Sequence, residues 1–360
     1  MSVDDQAVAQ DLQARMRALL EVHDPAGDSR EFLGARFDAG LAWVHFPSGS
    51  GGLDLPRGFQ AQVEADLAAA GAPPGGGPHN GIGMGMAAPT IAAFGTAEQQ
   101  RKFLRPLFTG EHFYCQLFSE PGAGSDLAGV STRAVRDGDD WIVNGQKVWT
   151  SFAQFSTRCV LLTRTAPGYD GMTAFFVDLD TPGITIRPLQ TMHGVDEFCE
   201  VYYDDVVIPA SRMLGRPGDG WRLAMDLLPY ERSSCFWQRI AYLYSRFDEL
   251  IAEASNPDEY ELGAAYLALH TLRCRSRDTQ HRLLNGARLG PDTSIDKVLL
   301  AGAEQKLYDT VRDLLPGTLE LDDTPWRSEF LYSRAATIYG GTAEIQRNII
   351  ARRLLDLGKE

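Results

Sequence analysis

A chain of 360 residues with 44% hydrophobic and 23% charged side chains is long enough for two or three structural units with substantial cores. Its formal net charge of −14 argues against a nucleic-acid partner and against adhesion to anionic membrane. No apolar run reaches membrane-spanning length, and the opening Met1-Ser-Val-Asp-Asp-Gln lacks the charged and apolar regions of a leader, so a cytoplasmic location is expected.

In chain order, residues 1–112 read as an N-terminal helical domain. Between Gln6 and Val22, apolar residues recur at Val8, Leu12, Met16 and Leu19, close to a 3.6-residue period. Glycine- and proline-rich stretches break the pattern at 49–52 and 71–78. Gly81-Ile-Gly-Met-Gly-Met86 is no dinucleotide loop, because its third glycine comes too early and no strand precedes it; close helix packing is expected instead. Thr96 with Gln99 three residues on marks the start of a helix running to Phe108.

Residues 113–214 change to strand texture. Trp141-Ile-Val, then Asn144-Gly145, then Lys147-Val-Trp predicts a tight hairpin. Cys159–Thr163, Thr173–Leu179, Ile184–Arg187 and Val201–Ile208 follow as short strands between Gly, Pro and Asp turns, the pattern of a compact β-barrel or sandwich. From 215 to 360 the helical period returns. Phe236, Ile240, Leu243, Phe247 and Leu250 form one stripe, with further helices over 262–273, 296–315 and 342–357, the content of a four-helix bundle. Pro229 falls inside a helical pattern running from Trp221 to Leu250 and is expected to bend it.

Three segments carry residues suited to chemistry. Cys115-Gln-Leu-Phe-Ser-Glu-Pro-Gly-Ala-Gly-Ser-Asp126 runs from a strand into a turn where Gly124 allows close backbone approach and Ser119 and Ser125 offer hydroxyls. Alone, such a segment serves equally as a surface turn or a ligand loop. Asn144-Gly-Gln-Lys-Val-Trp-Thr-Ser151 places an aromatic, Trp149, beside the hydroxyl of Ser151; by itself that aromatic reads as core or as the wall of a site. Tyr339-Gly-Gly-Thr-Ala-Glu-Ile-Gln-Arg347 opens a helix capped by Thr342, an ordinary terminus or a polar-ligand site. The five cysteines are scattered and odd in number, and no metal-ligand spacing is present, so neither a disulfide frame nor a metal is expected.

Together and in this order, the three segments resemble the flavin-binding segments of the acyl-CoA dehydrogenase family, and the resemblance spans nearly the whole chain. It implies an α+β multidomain fold of N-terminal helices, central β-barrel and C-terminal four-helix bundle, with FAD as cofactor. It implies Phe118, Ser119, Gly124, Ser125, Trp149, Ser151, Thr342 and Glu344 as cofactor contacts, at times across subunits, with Ser125 and Arg232 near the substrate. The family needs a carboxylate base to take the α-proton of an acyl-CoA thioester. Many members carry it in a Tyr-Glu-Gly-Thr segment, where this chain has Gly340. A second subset takes it from the helix that opens the bundle, where this chain has Glu231. Read locally, Glu231-Arg232 is an ordinary solvent-exposed pair, and only the resemblance makes Glu231 the base. The Arg-x-Phe-Gly segment by which many members reach a neighbour's pyrophosphate is missing, so no residue is assigned to that group.

These features resemble an actinobacterial branch acting on fatty acids and steroid side chains, some of whose members are unlike-subunit pairs. The implied partners are an acyl-CoA, an electron-transfer flavoprotein, and a second copy or a related subunit. Two other functions fit the departures: a non-catalytic partner subunit, and a biosynthetic flavoenzyme acting on a carrier-protein thioester.

Overall fold

The computed structural model describes residues 3–77, 80–232, 237–255, 258–321 and 324–358. Helices α1 (Val3–Val22), α2 (Ser29–Asp38), α3 (Gln60–Ala69), α4 (Ala88–Phe94) and α5 (Ala97–Phe108) form the first part. Thr96 and Gln99 close the expected capping box at the start of α5. Gln99 reaches further, donating to the carbonyls of Ser211 and Met213 at 2.9 and 2.8 Å, and so ties this helix to the end of the strand region. The glycine run at 81–86 lies on a helical segment with a wide turn over Gly83–Ala87, and Gly81, Ile82, Met84 and Met86 line the cavity described below.

Among the described residues eight strands follow: β1 (Tyr114–Leu117), β2 (Arg133–Asp137), β3 (Asp140–Ser151), β4 (Arg158–Arg164), β5 (Met172–Asp178), β6 (Ile184–Leu189), β7 (Phe198–Pro209) and β8 (Met213–Leu214). They pair in the order β6-β7-β3-β2-β4-β5-β8, with β1 beside β4. Period-two alternation divides β1, β4 and β5 between two cores. Cys115 and Leu117 point into the strand core with Trp141, Val143 and Phe175. Tyr114 and Phe118 point the other way, into a core shared with α4 and α5.

One expectation is overturned. Asn144-Gly145 is not a hairpin turn; β3 runs unbroken from Asp140 to Ser151 along β7, and the turn lies at Gly138, between β2 and β3. Two tertiary contacts override the local signal. A Cβ on Gly145 would meet Thr132 at 2.6 Å, so the glycine serves a close approach of two strands. Asn144 spends its side chain on Asp205, accepting from the backbone N–H and donating to the carboxylate, both at 2.9 Å.

Helix α6 (Gly220–Glu231) leads into the bundle of α7 (Trp237–Glu253), α8 (Glu259–Leu284), α9 (Thr293–Leu314), α10 (Pro325–Ser333) and α11 (Ala343–Ile349). Its core joins Leu243 and Phe247 of α7, Leu269 and Leu272 of α8, and Leu307 and Val311 of α9. The expected helix from Trp221 to Leu250 is two helices, α6 ending at Glu231 two residues past Pro229; Phe236 lies outside the described residues. The expected helix over 342–357 is shorter, α11 passing into a wide turn over Ile350–Leu354. Among the described residues no helix is long and apolar enough to cross a membrane.

Candidate active site

A cavity of about 2090 Å³ opens where the three parts meet. Its walls include Phe118, Ser119, Gly124, Ser125, Trp149, Ser151, Glu231, Arg232 and Thr342, so every expected site residue but one faces the same space. The exception is Glu344, exposed on the first turn of α11 and not among the lining residues of this single chain. The helical period explains it: a cap at Thr342 that faces the cavity turns the second residue after it away.

A buried ion pair shapes the loop after β1. Lys147 is fully buried and donates to the Phe118 carbonyl at 3.0 Å and to Glu120 at 2.8 Å. Glu120 also accepts from the backbone N–H and hydroxyl of Ser131 and from the N–H of Thr132. Burial works to raise the Glu120 pKa, but Lys147 and these donors outweigh it and hold the carboxyl at about 2. The Ser-Glu-Pro-Gly glutamate is thus a strut. It fixes Phe118 and Ser119 against β3, where the Ser119 carbonyl accepts from Val148 N–H at 3.0 Å.

Trp149 sits in a β-bulge at φ 60° with 62% of its surface exposed. A bulky residue in left-handed backbone is strained, and strain of this kind gathers at functional sites. Phe152 repeats it at φ 57° and also lines the cavity. A Cβ on Gly124 would meet no protein atom, so packing does not require that glycine. Gln116, also lining the cavity, buries a side-chain carbonyl with no partner. Phe152, Gln116, Glu120 and Lys147 were not singled out in the sequence. The alternation that sends Gln116 to the same face as Phe118 was the available signal for it.

Glu231 is the last residue of α6. Loss of water around it raises its pKa, opposed by Arg232 and Lys297. No described residue donates a hydrogen bond to its carboxylate. Arg232 instead donates its Nε to the Gly340 carbonyl at 3.3 Å, which joins α6 to the turn before α11.

Sequence models of the acyl-CoA dehydrogenase N-terminal, middle and C-terminal domains match residues 5–111, 115–206 and 218–355. The chain belongs to the acyl-CoA dehydrogenase family. It is 39% identical over 341 residues to acyl-CoA dehydrogenase IpdE1 of Mycobacterium tuberculosis, across 89% of this chain and 86% of that protein. Its fold matches a steroid ACAD, Tcur3481-Tcur3483, with TM-score 0.77 at 23% identity, over 100% of this chain and 99% of the other. The ChsE4-ChsE5 complex from Mycobacterium tuberculosis matches with TM-score 0.73 at 26% identity, again over 100% and 99%.

The departure at Gly340, where many acyl-CoA dehydrogenases have glutamate, has a backbone cause. Gly340 and Gly341 adopt φ 63° and 89°, and a Cβ on Gly341 would meet Gln346 at 2.3 Å. Gly340→Glu is therefore expected to lose about 1–2 kcal/mol of stability by denaturant unfolding. Placed in a Glu231→Gln background, it is expected not to restore substrate-dependent flavin bleaching.

Proposed function

We propose that this chain binds FAD in the shared cavity and dehydrogenates an acyl-CoA thioester between Cα and Cβ, with Glu231 as the base. The observation that carries this reading is Glu231 itself. It is a carboxylate on the cavity wall to which no described residue donates a hydrogen bond, with its proton affinity raised by burial. A base needs that combination, since it must be ionised to act yet hold the proton it takes.

The residues present fit the cofactor. The exposed Trp149 indole offers a flat apolar cover, the unpartnered Gln116 carbonyl and the hydroxyls of Ser119, Ser125, Ser151 and Thr342 offer polar contacts, and Gly124 leaves room for close approach. Bound there, FAD supplies the acceptor for the hydride that leaves Cβ. Glu231 takes the proton from Cα, and the electron pair of that C–H bond becomes the new double bond. Ser125 and Arg232 hold the thioester within reach of Glu231. The apolar wall of Met84, Met86, Leu228 and Trp221 covers the acyl group and excludes water.

An electron-transfer flavoprotein is proposed to reoxidise the cofactor. Association with a second copy or a related subunit is also proposed, supported by the likeness to a two-protein complex. Purified chain loaded with FAD is expected to be yellow and to bleach anaerobically with at least one fatty-acyl or steroid-type CoA thioester. A colourless protein, or one that no thioester bleaches, rejects the reading and favours a non-catalytic partner subunit.

A further inference from the structure

At Gly340 and Gly341 the cavity wall is bare backbone, in left-handed conformation at φ 63° and 89°. The Gly340 carbonyl accepts twice, from Nε of Arg232 at 3.3 Å and from Nε2 of Gln346 at 3.3 Å. Arg232 follows the last residue of α6, and Gln346 lies one turn into α11. A Cβ on Gly341 would meet the Gln346 amide nitrogen at 2.3 Å and a terminal nitrogen of Arg232 at 3.6 Å, so both side chains converge on that glycine.

Arg232 depends on this anchor. It lines the cavity, and among the described residues no carboxylate lies within ion-pair distance of it and no acceptor other than the Gly340 carbonyl takes one of its N–H groups. A guanidinium carries five N–H donors in a rigid fork, so fixing the oxygen that its Nε meets restricts where the others point.

Gln346 owes its amide to the same oxygen. It is fully buried, and its side-chain carbonyl has no partner among the described residues. A buried amide oxygen without a donor costs free energy, and a methionine would fill the space without that cost. The start of α11 sets its place: Thr342 caps the helix by accepting from the Ile345 N–H at 3.3 Å, and the Gln346 N–H donates to the Thr342 carbonyl at 2.9 Å. Its amide is thereby held against the turn, and Gln346 does not line the cavity itself.

We propose that Gln346 is a positioning residue for Arg232: its amide pins the Gly340 carbonyl, and that shared oxygen holds the guanidinium in place on the cavity wall. The inference rests on the reading that Arg232 holds the thioester beside Glu231.

The test measures binding apart from chemistry, in FAD-loaded protein, by the change in flavin absorbance. One probe is an acyl-CoA with two methyl groups on Cα, which has no α-proton to lose; the other is its thioether counterpart, which lacks the carbonyl oxygen. Gln346→Met is expected to raise Kd for the thioester about tenfold and to leave Kd for the thioether unchanged. Arg232→Met is expected to weaken the thioester at least as much. Adding Gln346→Met to it is then expected to change nothing further, because no guanidinium remains to be held. A role in packing alone would add in full and weaken both probes alike. Should Gln346→Met fail to fold, Gln346→Glu, which keeps the shape and has no donor when ionised, carries the same comparison. Additive losses, equal losses on the two probes, or a wild-type thioester Kd in the folded Gln346 variant overturn the proposal and leave the role of Arg232 standing. A wild-type thioester Kd in Arg232→Met overturns both.

Discussion

Glu231→Gln is expected to fold, take up FAD to the wild-type level and lose turnover by roughly 10²–10⁴. The substitution keeps the side-chain shape and removes only the ability to accept a proton. Because no described residue donates to the Glu231 carboxylate, the amide leaves no partner stranded. The pH dependence follows from the same site. Burial raises the Glu231 pKa, so in wild type the base is lost to protonation as pH falls through a value above the ordinary carboxylate range. The variant has no such limb. Stability carries the opposite sign: a carboxyl with a raised folded pKa destabilises the fold once ionised, so wild type gives up stability as pH rises through that window and Glu231→Gln does not. Stopped-flow bleaching across pH, paired with denaturant midpoints, checks both; near-normal turnover would remove Glu231 from the mechanism.

Lys147→Ala is expected to be the most damaging single change in the strand region, at about 3–5 kcal/mol, with loss of flavin uptake. It would leave Glu120 ionised and buried, still surrounded by the Ser131 and Thr132 donors but without its counter-charge. It would also release the Phe118 carbonyl, and with it the loop that carries Ser119, Gly124 and Ser125. Glu120→Gln combined with Lys147→Met removes both charges and is expected to recover part of the loss, because a neutral pair leaves no bare ion. The wild-type pair has its own acid signature. A carboxyl depressed to about 2 contributes stability that is fully present above the ordinary carboxylate pKa and fades as pH falls toward 2. Guanidinium midpoints at neutral pH and down that window measure both effects; a Lys147→Ala midpoint equal to wild type would show that the strut carries no load.

Much of this was legible before any coordinates. The capping box at Thr96, the helical stripes, the short strands and the bundle depend on spacing between near neighbours, and the backbone forms them with little reference to distant residues. The three site segments were legible only together, through their resemblance in order to the flavin-binding segments of the family; each alone reads equally as a turn, a core aromatic or an ordinary helix cap. Where local signals misled, a partner far along the chain had decided the matter. Asn144-Gly145 has the composition of a turn, but Asp205 and Thr132 hold it inside a long strand.

What the amino-acid order determined by itself was therefore the element types, the three-part plan and the segments bearing the site. Tertiary structure decided which of those residues share one cavity. It bent Trp149 into a strained, exposed pose, turned Glu344 outward, and made Glu120 a strut rather than a reacting group. The reason is that burial and charge pairing are properties of a three-dimensional neighbourhood. A carboxylate in water and one in a dry wall have the same letter in the sequence, and only the packed surroundings separate a solvated side chain from a base.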